Sequence, residues 1–397
     1  MVIEENIETL RKSALDHSFM LGDWVQMAEE GGPQFIVEGK GIRVTDSDGK
    51  QWIDANSGYA SVNVGYGRTE IADAVREQML KLSYYPINTA TEILSKLAEK
   101  LAQITPGSLE RIWPVTGGSE ANETATKIVR SYHRRKGEPG RYKVISRRRD
   151  YHGAIGQTLW MGAMRNLSDY EPGYPGMLYA PQPDPYRCPM GGKTRSECAI
   201  RCAQAVEDLI LFNGPNTVAA LIGAPISAEG ASVVPGDEYW PMVREICDKY
   251  GILLVVDEVI TGFRFDIKGG QKYFNIKGDL TCFGKGMGNG LPISAISGPE
   301  EFMKIYDLEV MEIPTHRPMV REDKADLIYK DELFNNLSVC PSCGFHHKLN
   351  CEERFKIFFD DKEYEILETP LPKDDPLKFP KYSDKLKESR EKTKQSD

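Results

Sequence analysis

From Arg111 to Gly298 short apolar runs alternate with helical stretches, and that alternation restricts the chain to few folds. The runs are Arg111–Val115, Tyr142–Ser146, Val218–Ile222, Ile252–Val256, Leu280–Phe283 and Ile293–Ile296. They are short and nearly continuously apolar, as strands buried on both faces of a parallel sheet must be. After the first of them, Ser119 to Arg135 carries Ala121, Ala125, Ile128, Val129 and Tyr132 at helical spacing, which gives that helix one face to lay on the sheet. The expected fold class is therefore α/β, a mainly parallel sheet sandwiched by helices.

The flanks read differently. Phe35 to Gly67 breaks into alternating pieces separated by the turns at Gly39-Lys40-Gly41, Asp46 to Gly49 and Gly65-Tyr66-Gly67, the pattern of a small antiparallel segment. Thr69 to Gln103 reads as helical with a break near Pro86, and Met1 to Asp16 as a short amphipathic helix. Pro181 to Cys198 is a Pro/Gly-rich loop, a candidate lid or dimer contact. Three parts are expected: residues 1–105, the sheet domain over 106–304, and 305–397.

Charge narrows the function. A net charge of −9 opposes a nucleic-acid partner, and the run Arg147-Arg148-Arg149 is short enough to be a solvated loop or a set of local ion pairs. No apolar run reaches the roughly eighteen residues a membrane span needs. The acidic N-terminus lacks the basic start and apolar core of a secretion signal, and eight cysteines then imply reduced thiols and a cytoplasmic location.

Chemistry concentrates at the ends of the apolar runs. Asp257 closes Ile252–Val256, and Lys285 follows Leu280–Phe283 and Gly284. A carboxylate and an amine so placed suit a pyridinium aldehyde cofactor: the acid keeps the ring nitrogen protonated and the amine forms an imine with the aldehyde carbon. Gly118 and Ser119 stand where a run gives way to a helix, and free backbone N–H groups there favour a phosphate. Tyr151, followed by His152 and Gly153, comes just after another run and offers a ring to stack on a flat ligand. Each residue has a plainer reading: Ser119 as a helix cap, Asp257 as a cap or ion-pair partner, Lys285 as a solvated surface group, Tyr151 as a core aromatic. Their order and strand-end placement converge on pyridoxal 5′-phosphate.

Residues from about Gly31 to Lys304 resemble a class III (ω-amino acid type) aminotransferase of the pyridoxal-phosphate fold type I superfamily. The motifs that carry the resemblance are Thr116-Gly-Gly-Ser-Glu-Ala-Asn-Glu-Thr-Ala125, Tyr151-His152-Gly153, Asp257-Glu-Val-Ile-Thr-Gly-Phe263 and Gly284-Lys-Gly-Met-Gly-Asn-Gly-Leu-Pro292. The resemblance implies that Gly118 and Ser119 bind phosphate, that Tyr151 stacks on the ring and Val259 packs on its other face. It further implies that Asp257 pairs with the ring nitrogen and that Lys285 carries the cofactor. It implies transamination between an amine or ω-amino acid donor and a keto acid, in a homodimer whose active site lies at the subunit interface. Thr261-Gly262-Phe263-Arg264 looks closer to the glutamate-1-semialdehyde aminomutase branch. Ala224-Pro225 departs from the Glu-Pro of many members, which puts dual substrate recognition in doubt. Beyond Met303 the family's later threonine and its C-terminal small domain are not found.

Residues 305–397 change character, with Cys340-Pro-Ser-Cys343, a Pro-rich strip and a charged tail. From about Leu327 the segment resembles the N-terminal zinc-ribbon region of the acetyl-CoA carboxylase carboxyltransferase beta subunit, as if the front of one enzyme were fused to the front of another. Where that family has its first cysteine pair this chain has Arg321 and Lys324, so Cys340 and Cys343 form an incomplete half-site and no zinc is expected. Two other functions remain open on these grounds: an inactive truncated enzyme, or a docking module for a carboxylase.

Overall fold

The computed structural model describes residues 6–18, 27, 29–30, 32–86, 89–162, 167–228 and 232–304. Helix α1 spans Ile7–His17, capped by the Asn6 side chain, which accepts from the Glu8 N–H. Strands β1 (Ile36–Lys40), β2 (Arg43–Asp46) and β3 (Gln51–Ile53) form an antiparallel three-stranded sheet, as the turn residues predict. Asp46 ties its β2–β3 turn, accepting from the Lys50 and Asp48 amides and from the Trp52 indole. Helices α2 (Thr69–Lys81) and α3 (Glu92–Ile104) follow, separated across Pro86. Thr91 caps α3 by accepting from Leu94 N–H.

The large sheet is built from β4 (Arg111–Val115), helix α4 (Gly118–Arg135), β5 (Lys143–Arg147), β6 (Met177–Ala180), α5 (Arg195–Asn213), β7 (Val218–Gly223), α6 (Tyr239–Tyr250), β8 (Leu253–Asp257), the short α7 (Gly269–Tyr273), β9 (Leu280–Phe283), β10 (Ser294–Gly298) and α8 (Glu300–Met303). Its order is β4-β10-β9-β8-β7-β5-β6. All pairings from β6 to β9 are parallel, whereas β10 runs antiparallel to both β4 and β9. The six expected strands are present with ends shifted by a residue or two. Strand β6 was not expected, because its four residues sit beside turn residues and are only partly buried. The Pro/Gly-rich loop ends earlier than Cys198, at Thr194, whose side chain caps α5.

Two apolar layers fill the space on either side of the sheet. One joins α5 and α6 to the sheet through Val206, Ile210, Val243, Ile246 and Leu254; the other joins α4 through Ala121, Ala125, Ile128 and Val129 to Val255 and Ile296. Small residues on α4 let its axis approach the sheet closely, so its N-terminus is held rigidly at the carboxyl ends of the strands. Among the described residues no helix is long and apolar enough to cross a membrane.

Candidate active site

The parallel strands deliver their chemistry at their carboxyl ends, where open α/β sheets bind ligands. Asp257 is the last residue of β8 and stands in register with Cys282 of the adjacent β9, three residues before Lys285. Neighbouring strands lie about 4.8 Å apart. The acid and the amine therefore emerge at the same end of the sheet, from neighbouring strands. Both line one cavity with Gly118, Ser119, Tyr151, His152 and Val259, so every residue singled out for the cofactor is brought together. Lys285 also has φ +45°, a sparsely populated region for a side-chain-bearing residue that the glycine-rich turn around it sustains.

Helix α4 points its N-terminus into this cavity. Its N-cap is Gly117, which makes no side-chain cap bond. Ser119 is thus not the cap; it lies in the first turn, and its Oγ accepts from the Ala154 N–H at 3.3 Å. Uncapped N–H groups and the dipole of a long helix favour an anion. Gly118 has no room for a side chain: a Cβ there would lie 2.8 Å from Val259 Cγ1, so the Gly117-Gly118 turn and the Val259 side chain are packed as one unit.

Asp257 is buried and held by three donors. Its Oδ2 accepts from Asn122 Nδ2 at 2.8 Å and His152 Nδ1 at 2.7 Å, and its Oδ1 accepts from the Val259 N–H at 2.9 Å. His152 Nε2 faces Asp150 Oδ2 at 3.6 Å, and Arg147 Nε pairs with that same oxygen at 2.7 Å. The result is a row of alternating charge, Arg147, Asp150, His152, Asp257, taken out of water. Burial pulls the His152 imidazole down, but the carboxylates of Asp150 and Asp257 outweigh it and raise it to about 9. Burial pushes Asp150 up, and the Arg147 guanidinium overcomes this to hold its carboxyl well below the usual range. Of the two readings of the arginine run, the local ion pair holds for Arg147 and the solvated loop does not: it is a fully buried cation paired with Asp150, and it also donates to the Ala224 carbonyl.

Asn122, Asp150 and Arg147 were not singled out from the sequence. Asn122 had a signal, being a polar residue on the sheet-facing side of α4; Asp150 and Arg147 had only their neighbourhood of Tyr151. The segment before α2 is tied to the turns that follow β8 and β9: Asn289 accepts from the Val64 N–H at 3.0 Å and donates to the Gly65 carbonyl at 3.1 Å, while Arg264 donates to the Ala60 carbonyl and to Asn63. Cys340 and Cys343, with the resemblance drawn for residues 305–397, lie outside the described residues.

The sequence profile described as aminotransferase class-III matches residues 26–310, well over half the chain. The chain belongs to that family. This aminotransferase-family chain is 39% identical over 281 residues to a taurine–pyruvate aminotransferase of Bilophila wadsworthia, covering 69% of the chain and 60% of that protein. It is 35% identical over 292 residues to a putrescine–pyruvate aminotransferase of Pseudomonas aeruginosa, covering 72% of the chain and 63% of that protein. Its structure resembles an (S)-enantioselective omega-transaminase from Thermomicrobium roseum with a TM-score of 0.73 and 36% identity, over 76% of this chain and 68% of that one. The chain spans about 60% of the length of the curated relatives it matches. Class III aminotransferases use pyridoxal 5′-phosphate, and the fold is the α/β arrangement of that group.

Proposed function

We propose that the cavity between α4, β8 and β9 holds pyridoxal 5′-phosphate and transfers an amino group between an amine or ω-amino acid and a keto acid. One observation carries this: Asp257 and Lys285 leave adjacent parallel strands and line the same cavity, with the bare N-terminus of α4 across from them. The donor set fits the group. The α4 amides with Ser119 would hold its phosphate, Tyr151 and Val259 its two faces, Asp257 its ring nitrogen and Lys285 its aldehyde end. When bound, the cofactor supplies an electron-poor ring that takes up the negative charge left as a proton leaves the donor carbon.

The chain's own residues do the rest. Asp257, anchored by Asn122, His152 and the Val259 amide, keeps a proton on the ring nitrogen. His152 and Arg147 place positive charge against the two buried carboxylates. The Lys285 amine carries the proton to and from the substrate carbon as general acid and base. Ala224, at the cavity wall, leaves the acceptor end without a carboxylate. The relatives named for taurine and putrescine with pyruvate support an amine donor and a small keto acid.

A homodimer belongs to the same proposal; the exposed apolar side chains of Ile53, Met79 and Leu80 support it. A cytoplasmic setting is supported by cysteine usage. The decisive experiment compares the purified protein with Lys285→Ala. The visible band of the bound aldehyde, and its fixation by borohydride, should be present in the first and absent from the second, with Lys285→Arg as a size control. A band of equal strength in Lys285→Ala would refute the assignment.

A further inference from the structure

Away from the cavity, three thiols converge where the loop after β6 meets α5. Cys188 lies in the loop, while Cys198 and Cys202 stand one turn apart on α5, and the three sulfurs all lie within 4.8 Å of one another. Cys198 and Cys202 are buried and Cys188 is half-buried; all three are free thiols. Residues four apart share one helix face, so α5 presents two of the sulfurs together by construction.

The loop is shaped around the third. Cys188-Pro-Met-Gly-Gly makes a tight turn in which the Gly191 N–H donates to the Cys188 carbonyl at 3.1 Å, with Gly191 at φ +70°. Gly192 presses on α5 so closely that a Cβ there would lie 2.6 Å from Cys198 N. Arg201 reaches back from α5 and donates to the carbonyls of Met190 and Gly191, both at 3.3 Å. One sulfur on the loop and two on the facing helix turn, with a guanidinium alongside, gather three soft ligands in one place; burial raises the Cys198 and Cys202 thiols, so a bound cation has to draw off their protons.

We propose that Cys188, Cys198 and Cys202 form a three-thiolate site for a thiophilic closed-shell cation, with Zn²⁺ as its occupant and solvent as the fourth ligand. With Zn–S bonds of about 2.3 Å, tetrahedral geometry sets the sulfurs roughly 3.8 Å apart, so the observed cluster needs to contract by no more than about 1 Å. On binding, the three thiols release three protons to solvent and the zinc takes one lone pair from each sulfur; no electron is transferred. The site carries one net negative charge, which Arg201 offsets. Its role is to clamp the loop after β6 onto α5; none of the three cysteines lines the cofactor cavity.

The test uses the full chain with Cys340→Ser and Cys343→Ser, so that the other cysteine pair cannot contribute. Loaded with zinc under reducing conditions and dialysed, this protein should retain about one equivalent, and adding Cys188→Ser should lower that at least fivefold. Cobalt in place of zinc should give the intense visible bands of a tetrahedral thiolate complex, lost with Cys188→Ser. Because Cys188 is on a loop, that variant should fold, and far-UV circular dichroism checks it; Cys202→Ala gives a second, buried substitution. Zinc below a tenth of an equivalent, zinc undiminished by Cys188→Ser, or a disulfide joining Cys188 to either partner would overturn the proposal.

Discussion

Replacing His152 by Asn should keep the hydrogen bond to Asp257 while removing the cation, and the consequence is a change in how stability depends on pH. In the folded protein His152 is raised from 6.5 to about 9, because two buried carboxylates outweigh its burial. A group raised on folding binds its proton more tightly in the native state, so its contribution is full below pH 6.5 and is lost as pH rises towards 9. At about 1.4 kcal/mol per pH unit for one proton, the loss across that window is roughly 3 kcal/mol. Urea unfolding of the cofactor-free protein at several pH values from 6 to 10 measures it. The unsubstituted protein should weaken by that amount more than His152→Asn over the same range. Nitrogen-15 NMR of the six histidines, with the variant identifying the missing resonance, gives the titration directly. Equal pH slopes in the two proteins, or a His152 resonance that titrates at or below 6.5, would show that the charged row does not exist.

Three further outcomes follow from the site's geometry. Asp257→Asn should leave cofactor binding largely intact but slow turnover by roughly 10²–10⁴-fold, since a neutral amide no longer holds the ring proton; single-turnover absorbance separates the two effects. Gly153→Ala should destabilise the fold by about 1–3 kcal/mol and weaken cofactor retention, because Gly153 has φ +148° and a Cβ would sit 2.7 Å from Ser119 Oγ; thermal melts with and without cofactor check it. Arg147→Leu should cost about 3–5 kcal/mol by leaving Asp150 buried without its guanidinium, a loss visible in urea unfolding and larger than that of an exposed pair such as Lys81–Glu92.

Much of the site could be read from local pattern. Asp257 and Lys285 were recognisable because strand ends are marked by where apolar runs stop, and Gly118 and Ser119 because a glycine turn precedes a helical period. Val259 needed the family resemblance to acquire a role. The capping role considered for Ser119 failed because the helix begins one residue earlier, at Gly118, with Gly117 as its cap. For Arg147 the sequence left open a solvated loop or a local ion pair, since a string of three arginines carries no sign of which one turns inward. Arg147 is the last residue of β5 and Arg148 already lies in the turn, and only the packed sheet shows that Arg147 is buried against Asp150.

Sequence alone determined that short buried strands alternate with helices, and that an acid, an amine and a glycine-rich turn occupy strand ends; these are matters of periodicity within a few residues. Tertiary structure decided which ends meet. Placing β8 beside β9 set Asp257 next to Lys285, and folding α4 over the sheet brought Asn122 to a carboxylate 135 residues away. The same closure gathered three cysteines from a loop and a helix turn into one cluster. Neighbour order in a sheet depends on chain crossovers and on burial of whole faces, and no short window of residues encodes it.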